Sequence, residues 1–337
     1  MDLVTLFTTL GSSGIISIAA AKWLTQRLID HRFAKELKDY QLRLDTNLAS
    51  SKAAFDEHIN DAKARLEAEL RQGVDEYLGE QAARREYRLD AQKRLYTVVG
   101  PLRFQLVIAC SDLANRINRI GAGKQPYPIS LTKGYFGRST VFRLLRVFTV
   151  LELIERQIAY ADFSVDSATG DLLRFKRAAF RCLSSSTITI DHPKANWDKQ
   201  VEHVFHDTLS LVSGALVVVD PDSKQERAMR FDEFTRFIGD ETRRAALDPI
   251  PELMEAFTPS TKPILWLRLV ALARICDEVI EQQGQQLGFE HEAFDAMTLL
   301  SASSDDFIAK HHEQYKQMIA DVVDSMHSKT SKSSETR

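Results

Sequence analysis

The chain has 337 residues, a formal net charge of −3, 44% apolar residues and three cysteines. This composition excludes a disordered protein, a collagen-like fibre and a disulfide-stabilised miniprotein, and the length suggests two folded units. The near-neutral total hides an uneven distribution, because residues 1–99 are neutral, residues 100–190 carry a net charge of +7 and residues 191–337 carry −10. The middle of the chain is therefore the part that would attract a polyanion.

The first predicted element is an N-terminal transmembrane helix within residues 1–25. Residues 3–21 contain no ionisable side chain. At about 1.5 Å per residue such a helix crosses a hydrocarbon core of about 30 Å, with Lys22 and Trp23 at the interface. A cleaved signal peptide is the main alternative, although Met1-Asp2 lacks the basic residue that begins most signals. A soluble buried helix is the third possibility.

The charges around this span predict its orientation. Five basic residues follow the span, whereas Asp2 is the only charged side chain before it; the five are Lys22, Arg27, Arg32, Lys35 and Lys38. The positive-inside rule places the remainder of the chain in the cytoplasm. The odd number of widely spaced cysteines fits a reducing compartment.

Hydroxyl side chains line one face of the predicted span. Thr5, Thr9, Ser13 and Ser17 recur every four residues and share one side of a helix. Such a face can serve helix packing between spans, and it can also line a pore in a ring of spans. We take Thr5, Thr9, Ser13 and Ser17 as candidate pore-lining residues.

Residues 26–86 show an eleven-residue repeat of apolar positions. The two columns of the repeat are Phe33, Leu44, Phe55, Leu66 and Tyr77, and Leu37, Leu48, Ile59 and Leu70. Eleven residues in three turns give about 3.67 residues per turn, which predicts a nearly straight coiled-coil stalk. We expect a parallel homo-oligomer, with a tetramer favoured by the wide seam. The alternative is a long helix that lies along its own domain.

Residues 87–327 are predicted to form an α-helical cytoplasmic domain, so the fold class is mainly all-α. An apolar stripe in residues 95–120 is expected to bend or break at Gly100-Pro101, before a loop over residues 121–137. Further helices are predicted over residues 140–163, 171–183, 197–213, 232–238, 251–257, 264–283 and 305–327. Residues 216–220 and 227–231 are expected to form one small β-hairpin. Residues 328–337 are rich in Ser and Lys, which predicts a disordered tail.

The sequence carries no recognisable catalytic motif. No phosphate-binding glycine loop, GxSxG, HExxH or paired CxxC occurs, so we expect neither an enzyme nor a cofactor. Glu202, His203 and His206 are the nearest candidates for a metal site. A lone HxxH pair on a helix is more often an ordinary exposed face, and we expect no metal there.

The basic middle of the chain is the candidate ligand-binding region. The selected residues are Lys133, Tyr135, Arg138, Arg143, Arg146, Arg174, Lys176, Arg177 and Arg181. Guanidinium groups beside exposed aromatic rings suit a ligand that carries phosphates and stacking bases, and a helix that starts near Ser139 offers amides to an anion. The aromatic rings expected beside them include Phe136, Phe175 and Phe180. The alternative is that these cations pair with the acidic C-terminal region.

Two stretches carry a resemblance to a known family. GYFGRST at residues 134–140 and KPILWL at residues 262–267, with the order of span, stalk and helical domain, resemble a family of bacterial membrane proteins. The layout is similar to the membrane channel subunits of the Hailong anti-phage system. That resemblance implies a bacterial inner-membrane channel held shut by a single-stranded DNA oligomer, which a partner nucleotidyltransferase makes. No individual functional residue follows from it.

These expectations combine into one functional hypothesis. The chain is expected to be a membrane-anchored homo-oligomer that acts as an ion channel or pore in anti-phage defence. A nucleotide or nucleic-acid ligand would bind its cytoplasmic domain and gate the pore. The partners would then be further copies of the chain, the lipid bilayer and the DNA oligomer. The alternative is a non-catalytic scaffold tethered to the membrane.

Overall fold

The computed structural model describes residues 31–131, 134–159, 162, 165–196, 202–284, 288 and 295–327. The predicted span with Thr5, Thr9, Ser13 and Ser17 lies outside the described residues, as do Lys133 and the predicted tail. The chain divides into two compact units, Met1–Arg84 and Arg85–Arg337. The prediction that the chain is mainly helical is confirmed, because one short hairpin is the only sheet in the described residues.

The described part of the first unit is helical throughout. Helix α1 spans His31–Gly121. The apolar repeat residues from Leu44 to Tyr77 are between 47% and 62% exposed in the single chain. The apolar side chains of the repeat are therefore exposed to solvent in the single chain. A coiled-coil partner that would bury them remains a prediction.

The last part of α1 is a core element of the second unit. Leu95, Leu106, Cys110 and Ile117 are among its fully buried residues. The helix continues through Pro101, so the predicted break at Gly100-Pro101 does not occur. Burial of the residues on both sides of the proline outweighs the loss of one helical hydrogen bond.

The other described helices of the second unit are α2 to α11, and most are close to the predicted ranges. Their bounds are α2 Tyr135–Ile158, α3 Ser167–Ser184, α4 His206–Ala215, α5 Phe231–Gly239, α6 Glu241–Arg244, α7 Ile250–Met254, α8 Pro263–Val279, α9 Ala296–Leu300, α10 Asp306–Lys310 and α11 His312–Asp324. Short 3₁₀ turns occupy Ser186–Thr189 and Ala245–Leu247, and a π turn, Ile280–Gly284, ends α8.

The predicted hairpin is confirmed. Strand β1, Val217–Val219, pairs antiparallel with β2, Glu226–Ala228. The Asp220 carboxylate accepts hydrogen bonds from the amides of Asp222 and Ser223 and closes the turn. Asp and Ser favour such turns because their short side chains bond to nearby backbone amides.

Three predicted helices differ from the structure. The helix expected over 140–163, with a start near Ser139, begins at Tyr135 and ends at Ile158 as α2, so residues 135–137 of the predicted loop are helical. Helix α4 begins at His206, and residues 202–205 are not helical, so the predicted helix over 197–213 starts too early. The predicted helix over 305–327 is two helices, because the chain turns at His311. Asp305 marks the start of α10, since its carboxylate accepts hydrogen bonds from the amides of Phe307 and Ile308.

Helix α8 lies at the centre of the core. Its residues are buried on all sides except at Arg274 and Glu278, which are half-buried. Trp266 Nε1 donates to the Leu299 carbonyl at 2.8 Å, and Arg268 Nη1 donates to the carbonyls of Cys182 and Ser185 at 2.9 and 3.0 Å. These bonds fix the ends of α3 and α9 against α8.

The loop between α1 and α2 positions the start of α2. Ile129 forms a backbone bridge with Phe257, and the Tyr127 hydroxyl accepts a hydrogen bond from the Phe136 amide at 3.3 Å. Gly134, with φ of 79°, precedes α2, and a Cβ on it would lie 2.5 Å from the Tyr127 hydroxyl. Glycine is therefore required at this turn by both backbone conformation and space.

By length and composition, one described helix could cross a membrane, and it lies within Gln41–Gly121. The core helix of a soluble domain passes the same test. Most apolar residues of this helix between Leu95 and Ile120 are buried in the second unit, although Tyr96, Val98 and Phe104 are 50%, 40% and 46% exposed. The predicted span in residues 1–25 is a separate segment and remains a prediction.

We expect Gly134→Ala to lower the stability of the domain by about 2 kcal/mol, because it adds a steric clash to an unfavourable φ. Gly123→Ala is the matched control, since Gly123 has φ of 70° with nothing within 4 Å of its added Cβ. Thermal unfolding should show the larger loss for Gly134→Ala. Equal losses would show that Tyr127 does not restrict this turn.

Candidate phosphate-binding site

The first turns of α2 bring together the predicted residues Tyr135, Arg138, Arg143 and Arg146. Tyr135 is 62% exposed, whereas the three arginines are half-buried. Arg138 Nε donates to the Gly134 carbonyl at 3.2 Å, and Arg146 pairs with Asp112 of α1 at 3.3 Å. Arg143 makes no hydrogen bond or ion pair with any residue that the structure describes.

Aromatic rings lie beside these arginines. The Tyr135 ring meets the Phe231 ring edge to face at 5.5 Å between centroids, and Phe142 contacts Phe231 in the same way at 5.3 Å. A cavity of about 420 Å³ opens next to them, with Phe142, Arg146, Arg230 and Phe231 in its wall. This surface combines the exposed Tyr135 ring and the partly buried rings of Phe142 and Phe231 with guanidinium groups, and a nucleotide requires this combination of rings and cations.

The predicted residues of α3 form a different arrangement. Lys176 is buried and pairs with Glu152 and Glu155 of α2, and Arg174 pairs with Asp171 and donates to the Met326 carbonyl. Arg177 and Arg181 are exposed and have no ion pair among the described residues. No described hydrogen bond or ion pair joins this group to the arginines of α2.

The aromatic rings expected to be exposed beside the α3 cations are buried. Phe175 is 1% exposed and Phe180 is 2% exposed, and Phe136 at the start of α2 is 9% exposed. The expectation of stacking surfaces on α3 was therefore wrong. The apolar side of α3 packs on α8 and α2, and its rings follow that side rather than the side of the arginines.

Within the part of the chain that the structure describes, the selected cations form no ion pair with the acidic C-terminal region. Among the described residues, the ion-pair partners of Arg146, Arg174 and Lys176 lie between Asp112 and Asp171. Arg156, which was not selected from the sequence, does pair with Glu226 of β2 at 2.9 Å. The arginines at the start of α2 are left with a surplus of positive charge.

Two further arginines, which the sequence did not single out, extend the surplus charge. Arg116 and Arg119 lie near the end of α1, inside the stretch assigned to an apolar stripe. Burial, together with the positive charges of Arg143 and Arg119, lowers the pKa of Arg116 to about 10. The Arg116 guanidinium lies 4.2 Å from the centre of the Phe136 ring. Spacing alone could have shown that Arg116 and Arg119 share a helix face.

Glu202, His203 and His206, which were considered for a metal site, do not surround a common point. Glu202 accepts a hydrogen bond from the Leu265 amide at 2.8 Å and caps α8, and burial raises the pKa of its carboxyl. His203 is buried outside any helix, whereas His206 lies on α4 with its ring against Phe180. No group of three or more potential metal ligands occurs among the described residues.

No family model matches this chain, and no curated protein and no solved structure is similar enough to match it. The resemblance to the Hailong channel subunits remains an expectation from the sequence.

We expect Lys176→Met to destabilise the domain by about 2 kcal/mol, because it leaves the buried carboxylate of Glu152 with Arg156 alone. Burial raises the pKa of Glu152, but Lys176 and Arg156 together hold it below its usual value. A carboxyl with a lowered pKa stabilises the fold above its unfolded pKa, and this contribution is lost as the pH falls.

Chemical denaturation between pH 3 and pH 7 measures this effect. Arg177→Gln, next along α3 and exposed, is the control and should change stability by less than about 0.5 kcal/mol. A stable Lys176→Met variant with the acid sensitivity of the wild type would show that Lys176 is not a structural ion-pair residue.

Proposed function

We propose that the chain is a membrane-anchored homo-oligomeric effector whose helical domain binds a nucleotide or nucleic-acid ligand and thereby gates a pore. The observation that supports it best is the surface at the start of α2. There, arginines with few counter-charges adjoin Tyr135, Phe231 and an open cavity. Phosphates would meet the arginines, and bases would stack on the rings.

The apolar repeat supports the oligomeric part of the proposal. Phe55 and Leu66, which are eleven residues apart, and Ile59 of the second column are each about half exposed. Burying such a side chain completely is worth about 1.5–3 kcal/mol. Identical parallel helices would bury every repeat of the column at once, which favours copies of the same chain as the partner.

The membrane part of the proposal rests on the sequence. The uncharged residues 3–21 would form the span, and the face with Thr5, Thr9, Ser13 and Ser17 would line the pore. By the resemblance to the Hailong system, a single-stranded DNA oligomer would be the ligand, and a partner nucleotidyltransferase would supply it. Defence against phage would follow if loss of the ligand opens the pore in the inner membrane.

We expect Tyr135→Ala to weaken the binding of a single-stranded oligodeoxynucleotide by about 5- to 100-fold, because one stacking surface is lost. Tyr96→Ala is the matched control, since Tyr96 is 50% exposed on α1 and, within the described residues, makes no hydrogen bond or ring contact with the arginines of α2. Fluorescence anisotropy with the full chain in detergent measures the affinities. Equal affinities for the two variants and the wild type would contradict a stacking role.

We expect the double substitution of Ser13 and Ser17 by Leu to abolish ion leakage while the oligomer persists, because a pore with apolar walls excludes water. Leakage from vesicles that contain the purified chain measures the conductance, and cross-linking measures the oligomer. Thr8→Leu tests a hydroxyl beside the chosen face. Undiminished leakage in the double variant would show that this face does not line a pore.

A membrane-tethered scaffold is the second candidate, and one observation favours it. Helix α1 also exposes apolar side chains within the second unit, namely Leu89, Tyr96 and Phe104, which are 66%, 50% and 46% exposed. A scaffold would use such a surface for protein contacts and would need no ligand. In that case replacement of Arg143 and Arg146 by Ala would change no nucleic-acid binding, since none would exist.

A further inference from the structure

Arg116 is a buried cation whose hydrogen bonds are incomplete. Its side chain is 4% exposed, and its Nη2 donates to the Ser139 hydroxyl at 3.0 Å. Its Nε and Nη1 are buried and have no hydrogen-bond partner among the described residues. A buried charged group with unpaired donors is costly, so such a group in a native fold calls for an explanation.

Like charges surround this guanidinium. Arg119 and Arg143 are close enough to disfavour its charged form, and neither guanidinium group has an ion pair or hydrogen bond within the described residues. Asp112 is the carboxylate that favours the charge, but it already pairs with Arg146 at 3.3 Å. Three arginines, Arg116, Arg119 and Arg143, therefore lie where α1 and α2 meet. The one carboxylate near them, Asp112, is shared with Arg146.

The N-terminal end of α2, which lies next to Arg116, adds positive electrostatic potential. The helix has 24 residues, no acidic residue in its first turn and no side-chain cap at Gly134. Phe136, Ser139 and Arg143 recur at helical spacing, and Arg116 contacts the first two of them. The Arg116 guanidinium therefore lies against the first two turns of this helix, where the helix dipole adds positive potential.

We propose that Arg116, Arg119 and Arg143, with the first turns of α2, form a site for a single phosphate group, either inorganic phosphate or a terminal phosphomonoester. Arg119 and Arg143 are accessible and present guanidinium forks that suit phosphate oxygens. Arg116 supplies a third charge from beneath them. A dianion at this point replaces the repulsion between the end of α1 and the start of α2 with attraction.

The site is independent of the proposed nucleic-acid ligand, because inorganic phosphate alone satisfies it. The site adjoins the aromatic surface, because Tyr135 lies close enough to Arg116 to affect its pKa. In the proposed function, it would hold one end of the ligand. Without that function, it would remain a phosphate site that stabilises the contact between the two helices.

The test is thermal unfolding of the full chain in detergent, followed by tryptophan fluorescence, in phosphate and in chloride of equal ionic strength. At tenfold excess over the dissociation constant, phosphate should raise the transition by about 3 °C. Arg119→Gln and Arg143→Gln should lose this shift. In chloride they should also unfold at a higher temperature than the wild type, because each removes repulsion. Arg88→Gln replaces an exposed arginine of α1 that belongs to neither candidate site, and it should have neither effect.

The absence of a phosphate-specific shift in the wild type, or an equal shift in Arg143→Gln, would overturn the proposal. Oligodeoxynucleotides with and without a 5′ phosphate distinguish the two sources of the group. Tighter binding of the phosphorylated oligomer assigns the site to the end of a nucleic acid. Stabilisation by inorganic phosphate with no oligomer binding keeps the phosphate site and refutes the proposed function instead.

Discussion

The buried helix α8 is the constraint on which the second unit depends. A helix surrounded by protein must find partners for its polar side chains inside the core, and Trp266 and Arg268 find them on backbone carbonyls. Those carbonyls belong to α9 and to the end of α3, so both elements are held in place. Helix α3 in turn packs on α2, where Phe180 contacts Phe148 at 5.5 Å between ring centroids. The direction of α2 is thus set by the core.

Once α2 is fixed, its two halves face different electrostatic environments. In the second half, Glu152 and Glu155 neutralise Lys176, and Arg156 pairs with Glu152 and Glu226. In the first half, Arg143 approaches Arg116 and Arg119 with little compensation. Stability alone does not favour such an arrangement, because like charges repel and buried donors remain unpaired. A bound anion gives this surplus charge a physical reason.

The sequence predicted the elements that show a regular apolar period. It did not predict the burial of individual side chains, because burial depends on how the helices pack. Apolar spacing predicted α2, α8 and the hairpin, because each pattern matches one type of element. It could not show that Arg116 is buried, since that position lies in an apolar stripe and burial depends on α2. Phe175 and Phe180 were expected beside the α3 arginines on the surface, yet helix geometry directs them into the core. His203 and His206 were placed on one helix, but the helix begins at His206.

The central claim is that this chain is an oligomer that holds a nucleic-acid ligand through its helical domain. The most direct measurement is the mass of the full chain in detergent, taken with its ultraviolet absorbance ratio. We predict a mass of several copies of the 38.2 kDa chain, most favourably four, together with the absorbance of bound nucleic acid. A single 38.2 kDa chain with the absorbance of protein alone would contradict it.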